Sequence, residues 1–152
     1  AKCWGCKSAA SQEFHDIMAQ VLVNAKCLAS ELQRHGFDLV TGGTDNHMVV
    51  VDLRNKGVTG RTMQNALESI GLSVSKQVIP HDPEKPFITS GLRIGTTETT
   101  QRGFKEEDIA KAVDIISRVT DAPTDPENLA ACHKSVLELL EKFAHITTGA
   151  FE

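Results

Sequence analysis

The chain of 152 residues is long enough for one domain that buries roughly 70% of its unfolded surface, and short for two cores. Its 16 Lys and Arg against 20 Asp and Glu leave a net charge of −4 with both signs mixed along the chain, which removes the basic stripe expected of a nucleic-acid-binding surface. With 40% hydrophobic and 24% charged residues the composition is that of a globular protein, and the longest aliphatic run, Met48 to Val51, is far too short to span a bilayer.

No apolar stretch followed by a small-residue cleavage site marks the N-terminus as a secretory signal, so a cytoplasmic setting is expected. Four cysteines, Cys3, Cys6, Cys27 and Cys132, are too few and too scattered for a disulfide scaffold. Cys3-Trp4-Gly5-Cys6 lacks the strand before it that a redox motif needs and the second ligand pair that a zinc site needs, so it is taken as an incidental pair, with Cys27 and Cys132 buried on helix faces.

Apolar residues recur at helical spacing from Phe14 to Leu32, predicting a long amphipathic helix over about 12–35 with Gly36 as its stop. Phe37 to Val40 reads as a short strand, Thr41 to Thr44 as a turn, and 47–53 as a β-rich run that completes a hairpin. Thr59 is placed to cap a helix over 60–70 ended by Gly71, after which Leu72 to Val74 returns to extended structure. Ile79 to Pro86 holds three prolines and must be an ordered loop, since proline lacks the N–H that a helix or central strand uses. A strand over 88–94 follows, with glycines around an arginine. Two more helices are predicted, over 105–120 with Glu106, Glu107 and Asp108 in the first turn, and over 126–145 with Thr124 or Asp125 as cap. The expected architecture is α+β, a small mixed or antiparallel sheet with helices packed on one side.

Three segments go beyond periodicity: Gly42-Gly43-Thr44-Asp45-Asn46-His47; Ile79-Pro80 with Asp82-Pro83; and Thr89-Ser90-Gly91-Leu92-Arg93-Ile94-Gly95-Thr96 followed by Thr100, Arg102 and Gly103. Together, in register from about Phe14 to about Thr120, they resemble the C-terminal domain of serine hydroxymethyltransferase. The resemblance implies the small domain of a fold-type I pyridoxal-phosphate enzyme that interconverts serine and glycine with tetrahydrofolate as one-carbon carrier. It further implies residues 1–152 as a single small domain, a PLP-binding large domain as partner, and a homodimer or homotetramer in the full enzyme. The family's covalent cofactor lysine lies in a Thr-Thr-His-Lys context followed by Gly-Pro-Arg-Gly. His133-Lys134-Ser135 lacks both and falls within a helical period, so Lys134 reads as a solvated helix lysine and the chain alone is expected to be inactive.

Arg93 matches the family's substrate-carboxylate arginine, and a planar guanidinium makes two parallel hydrogen bonds to a carboxylate that lysine cannot reproduce. Gly91 and Gly95 on either side of it suggest room for a ligand. Gln77 falls where the family has an asparagine that meets the folate pterin, and its amide keeps the donor and acceptor. Gln77, Ser75 and Thr97 depart from the family pattern; they mark either a relative with another acceptor or aldehyde partner, or neutral drift, the favoured reading because the Arg93 strand is otherwise intact. The Gly42–His47 segment is read as a turn and strand start, with a general-base role for His47 only if it faces a cleft. Arg102 is assigned to a domain-interface ion pair in preference to the substrate site. A different class of reading is a stand-alone, non-catalytic small-domain module that acts by association through an exposed apolar face.

Overall fold

A computed structural model of the chain describes Lys7 and residues 9–143. The Cys3/Cys6 pair and the last residues of the helix expected to reach 145 lie outside them. Helix α1 spans Gln12–Arg34, where Ser11 Oγ accepts a hydrogen bond from Phe14 N at 3.2 Å. It closes on Gly36, at φ +75°, with Gly36 N donating to Gln33 O at 2.9 Å and Phe37 N to Leu32 O at 3.0 Å. This paired C-terminal capping answers the last carbonyls of the helix and turns the chain back along it.

Strand β1 (Asp38–Leu39) pairs antiparallel with β2 (Met48–Asp52) as the expected hairpin. Helix α2 (Gly60–Ser69) starts at Thr59, whose hydroxyl accepts from Thr62 N at 3.2 Å, and leads to the short strand β3 (Ser75–Gln77). Strand β4 (Gly91–Gly95) then inserts between β2 and β3, giving the order β1-β2-β4-β3 with every pair antiparallel. A short helix α3 (Thr97–Gln101) precedes α4 (Glu106–Asp121) and α5 (Pro126–Glu141). Asp125 caps α5, its carboxylate accepting from Glu127 N and Asn128 N. The architecture is α+β, as expected.

Alternation along the two central strands sends Val49, Val51, Leu92 and Ile94 to one side, where they join Leu28 and Leu32 of α1, Met63 and Leu67 of α2, and Val113 and Ile116 of α4 in one core. Helix α5 packs on α4 and adds Cys132, Val136 and Leu139 to that core. The opposite face of the sheet, carrying Met48, Val50, Asp52, Ser75, Gln77 and Arg93, bears no helix among the described residues.

Three sequence expectations shift. The strand predicted from residue 88 begins at Gly91, because Thr89 sits at φ +59° and breaks extended structure. Extended pairing after α2 falls on Ser75–Gln77 rather than Leu72–Val74, since only the later residues reach β4. Cys27 is half-buried, its thiol near Glu106 O at 3.5 Å, whereas Cys132 is fully buried as expected.

The unforeseen helix α3 is tied to α1 by buried polar groups. Thr96 Oγ1 lies within donating distance of Val21 O and His47 O, and the fully buried Asn24 amide donates to Thr100 Oγ1 at 2.8 Å and Phe104 O at 2.9 Å. A buried amide so satisfied specifies one docking of the turn on the helix.

Leu67 is fully buried and Leu137 is 51% exposed on α5. Leu67→Ala is expected to lower unfolding free energy by about 2–5 kcal/mol, while Leu137→Ala changes it by less than about 0.5 kcal/mol. Urea unfolding midpoints of the two variants check the contrast.

Candidate functional site

The open face of the sheet is assembled by register. Arg93 lies opposite Val50 of β2 on one side and Ser75 of β3 on the other, and Gln77 lies opposite Gly91, two residues along β4. Directly paired residues of antiparallel strands project to the same side, so Arg93, Ser75 and Gln77 share a face. The structure therefore brings together the two residues singled out for substrate and folate contact, and Ser75 with them.

Arg93 is exposed and makes no side-chain hydrogen bond or ion pair among the described residues. Most other arginines are committed. Arg54 forks onto Asp52, with Nε 3.0 Å from both carboxylate oxygens and Nη2 2.6 Å from Oδ2. The side-chain hydrogen bond from Arg54 is the main reason the Asp52 carboxyl is held below its usual range. Arg34 pairs with Glu31, and Arg118 reaches Ser135 Oγ at 3.2 Å. Arg102 pairs with Glu98 at 2.6 Å one helical turn away, a local ion pair. Arg61, in the first turn of α2, shares with Arg93 the absence of a side-chain partner among the described residues, but it is not on the sheet face.

Of the two glycines beside Arg93, Gly91 departs from the expectation of ligand room. A Cβ on Gly91 would lie 2.4 Å from Ile79 Cγ2 and 2.5 Å from Gln77 O, so this glycine admits the neighbouring strand and loop. A Cβ on Gly95 meets only His47 O, at 3.8 Å. His47 is exposed, and its backbone carbonyl accepts from Thr96 N at 2.9 Å. In the preceding turn Asn46 Oδ1 accepts from Met48 N at 2.9 Å and Thr44 Oγ1 donates to Met48 O at 2.6 Å, as expected of a turn-setting segment. This turn walls an open concavity of about 520 Å³ that reaches Met48 and Val50 on the same sheet face. Lys134 is exposed on α5, 3.9 Å from Glu138, as its helical period implied.

Sequence reasoning did not reveal what Asp82 does in the proline-rich loop. Its Oδ1 accepts from Glu84 N at 3.0 Å and Ser90 Oγ at 2.8 Å, while its Oδ2 accepts from Ser90 N at 3.0 Å and Ile79 N at 3.4 Å. Desolvation pushes this carboxyl upward, but the hydrogen bonds from Ser90, Glu84 and Ile79 outweigh it and leave its pKa at about 2. One signal was legible: Pro83 has no N–H, so the first amide that an Asp82 side chain can catch downstream is that of Glu84.

The family model of serine hydroxymethyltransferase matches residues 1–116, most of the chain. The chain belongs to the serine hydroxymethyltransferase family. The match covers the whole sheet, the proline-rich loop and Arg93, and ends inside α4. Membership of this transferase family carries a serine hydroxymethyltransferase-type function in serine and glycine metabolism. Among the described residues no helix is long and apolar enough to cross a membrane.

The Asp82 linkage has a definite sign. Its folded pKa lies below the ordinary value of about 3.9, so its stabilising contribution is full above that value and is lost as pH falls through about 2. Asp82→Asn is expected to destabilise the fold at pH 7 by on the order of 1–3 kcal/mol and to flatten the loss of stability between about pH 4 and pH 2. Urea unfolding at pH 7 and along that acid limb measures both.

Proposed function

We propose that this chain supplies the substrate-carboxylate site of a pyridoxal-phosphate-dependent serine hydroxymethyltransferase, with Arg93 receiving the carboxylate of serine or glycine. The observation that carries the reading is a permanently charged guanidinium that has no side-chain partner among the described residues, on the sheet face that the described helices leave open, in a chain of this family. A carboxylate laid across that face receives two parallel hydrogen bonds from Arg93. Gln77, on the same face and with its amide bonded among the described residues only to Val78 O at 3.4 Å, has that amide to offer the edge of a tetrahydrofolate heterocycle.

The described strand positions of this face, Asp38, Met48, Val50, Asp52, Ser75, Gln77, Gly91, Arg93 and Gly95, include no lysine that could hold the cofactor covalently. Lys76 alternates to the other side, and Lys142 is engaged by Asp108 and Glu107 at 3.0 and 2.9 Å. In this reading the chain acts as the small domain, the cofactor is held by a large domain, and catalysis requires both. When bound there, pyridoxal phosphate supplies the electron sink for bond cleavage at the amino acid. This chain contributes binding and orientation.

Supplied with the large domain, in one polypeptide or in trans, the Arg93→Ala protein is expected to bind amino acid about thirty-fold or more weakly, corresponding to a cost of about 2–5 kcal/mol for leaving a desolvated carboxylate unpaired. Arg93→Lys restores only part, because the charge returns without the planar fork. Thermal unfolding of both variants should match wild type, since Arg93 has no side-chain partner among the described residues to orphan; a melted Arg93→Ala domain with normal amino-acid affinity in its folded fraction sinks the assignment. A second expectation concerns the chain alone. Incubation with pyridoxal phosphate followed by borohydride reduction should give no stoichiometric adduct at a single lysine, checked by intact mass and peptide mapping.

A further inference from the structure

The loop between β3 and β4 begins just after Gln77 and ends three residues before Arg93. The loop is partly open to solvent, with Val78 at its start 49% and Phe87 58% exposed, and β3 is only three residues long. So short an edge strand has few ladder bonds of its own to fix its position against β4. Lys76 N donates to Gln64 Oε1 of α2 at 3.2 Å, and a second hold on the strand lies at the loop's base. A single carboxylate gathers Ile79 N, next to the Gln77 end, and Ser90 N and Oγ, next to the Arg93 end. Ser90 is in turn fastened to the far strand, its carbonyl accepting from Leu53 N at 2.9 Å.

The residue before Ser90 in the loop is held just as firmly. Thr89 occupies the left-handed region, costly for a β-branched residue, yet it is buried, its N donates to Lys85 O at 3.0 Å and its carbonyl accepts from Gly60 N at 2.8 Å. Backbone that costs energy and is held from several directions marks a place where geometry matters.

We propose that Asp82 is a positioning residue for ligand binding: by drawing Ile79 and Ser90 onto one carboxylate, it sets the spacing and orientation of Gln77 and Arg93 on the open sheet face. The proposal rests on the reading of Arg93 as the carboxylate site. Asp82 itself touches no ligand and acts through Arg93. The chemistry of the side chain is decisive here. Four donors converge on its two oxygens, so an Asn amide in either orientation turns its NH2 toward at least one backbone N–H and cannot satisfy the set.

The test uses the intact holoenzyme that contains this segment and measures equilibrium binding of glycine, so the readout does not depend on turnover. Asp82→Asn is expected to weaken glycine roughly tenfold, a loss of the size that small misplacement of a binding group produces. Ser90→Ala removes a single bond and keeps the rest, so it should weaken glycine in the same direction by less, and it serves if Asp82→Asn folds poorly. Arg93→Ala is made alone and in combination. In the Arg93→Ala background, Asp82→Asn should change affinity by less than about twofold, because the group it positions is gone. Full additivity of the two substitutions, or normal glycine affinity in well-folded Asp82→Asn and Ser90→Ala proteins beside a weakened Arg93→Ala, overturns the positioning role and leaves the carboxylate reading intact. Normal affinity in Arg93→Ala overturns the carboxylate reading itself, and the positioning role with it.

Discussion

Antiparallel pairing of β2 with β4 is the constraint on which the rest depends. Five consecutive residue pairs, from Met48 opposite Gly95 to Asp52 opposite Gly91, fix which side chains go to each face. A slip of β4 by one residue against β2 would exchange Leu92 and Ile94 in the core for Arg93, burying a guanidinium and exposing aliphatic side chains. The same register that secures the core therefore presents Arg93 to solvent, and fold and site are specified by one set of hydrogen bonds.

A second layer of specification comes from close backbone approach. Helix α2 reaches the sheet through Gly60, where a Cβ would lie 2.2 Å from Thr89 Oγ1 and 2.4 Å from Gly91 O. Its first free amides, Gly60 N and Arg61 N, are answered by the carbonyls of Thr89 and Ile88 at 2.8 and 2.9 Å. The start of α2 and the approach to β4 thus satisfy each other's backbone groups, removing donors that a helix N-terminus would otherwise leave open. Gly91 does the same for β3 and Ile79. Two glycines far apart in sequence serve one junction, which sits directly before the arginine strand.

Much of this was legible in the residues, for local reasons. Helices α1, α2, α4 and α5 announce themselves by apolar period, and Thr59, Asp125 and Gly36 mark ends whose capping chemistry is short-range. Helix α3 was hidden because Thr97-Glu98-Thr99-Thr100-Gln101 is poor in helix formers and is held by Asn24 and Val21, some 75 residues away in sequence. Strand β3 was hidden because three polar residues carry no alternation to detect. At the site, the interest of Arg93 came from its resemblance to a family motif. The purpose of Gly91 was misjudged because what fills the space above a glycine is a tertiary fact. The role of Asp82 needed Ser90 beside it, which only the folded loop supplies.

The two ends of the sheet carry one more consequence. Strand β1 has two residues and β3 has three, so each border of the four-stranded sheet offers few unpaired backbone groups. The longer strands β2 and β4, one with Val49–Val51 and the other with Leu92 and Ile94, are the ones able to template the growth of foreign β-structure, and both lie inside. Brief outer strands, one bearing Asp38 and the other Lys76 and Gln77, give a copy of the same chain little to zip onto. The sheet can leave one face without a helix among the described residues and still not become a seed for aggregation along its borders.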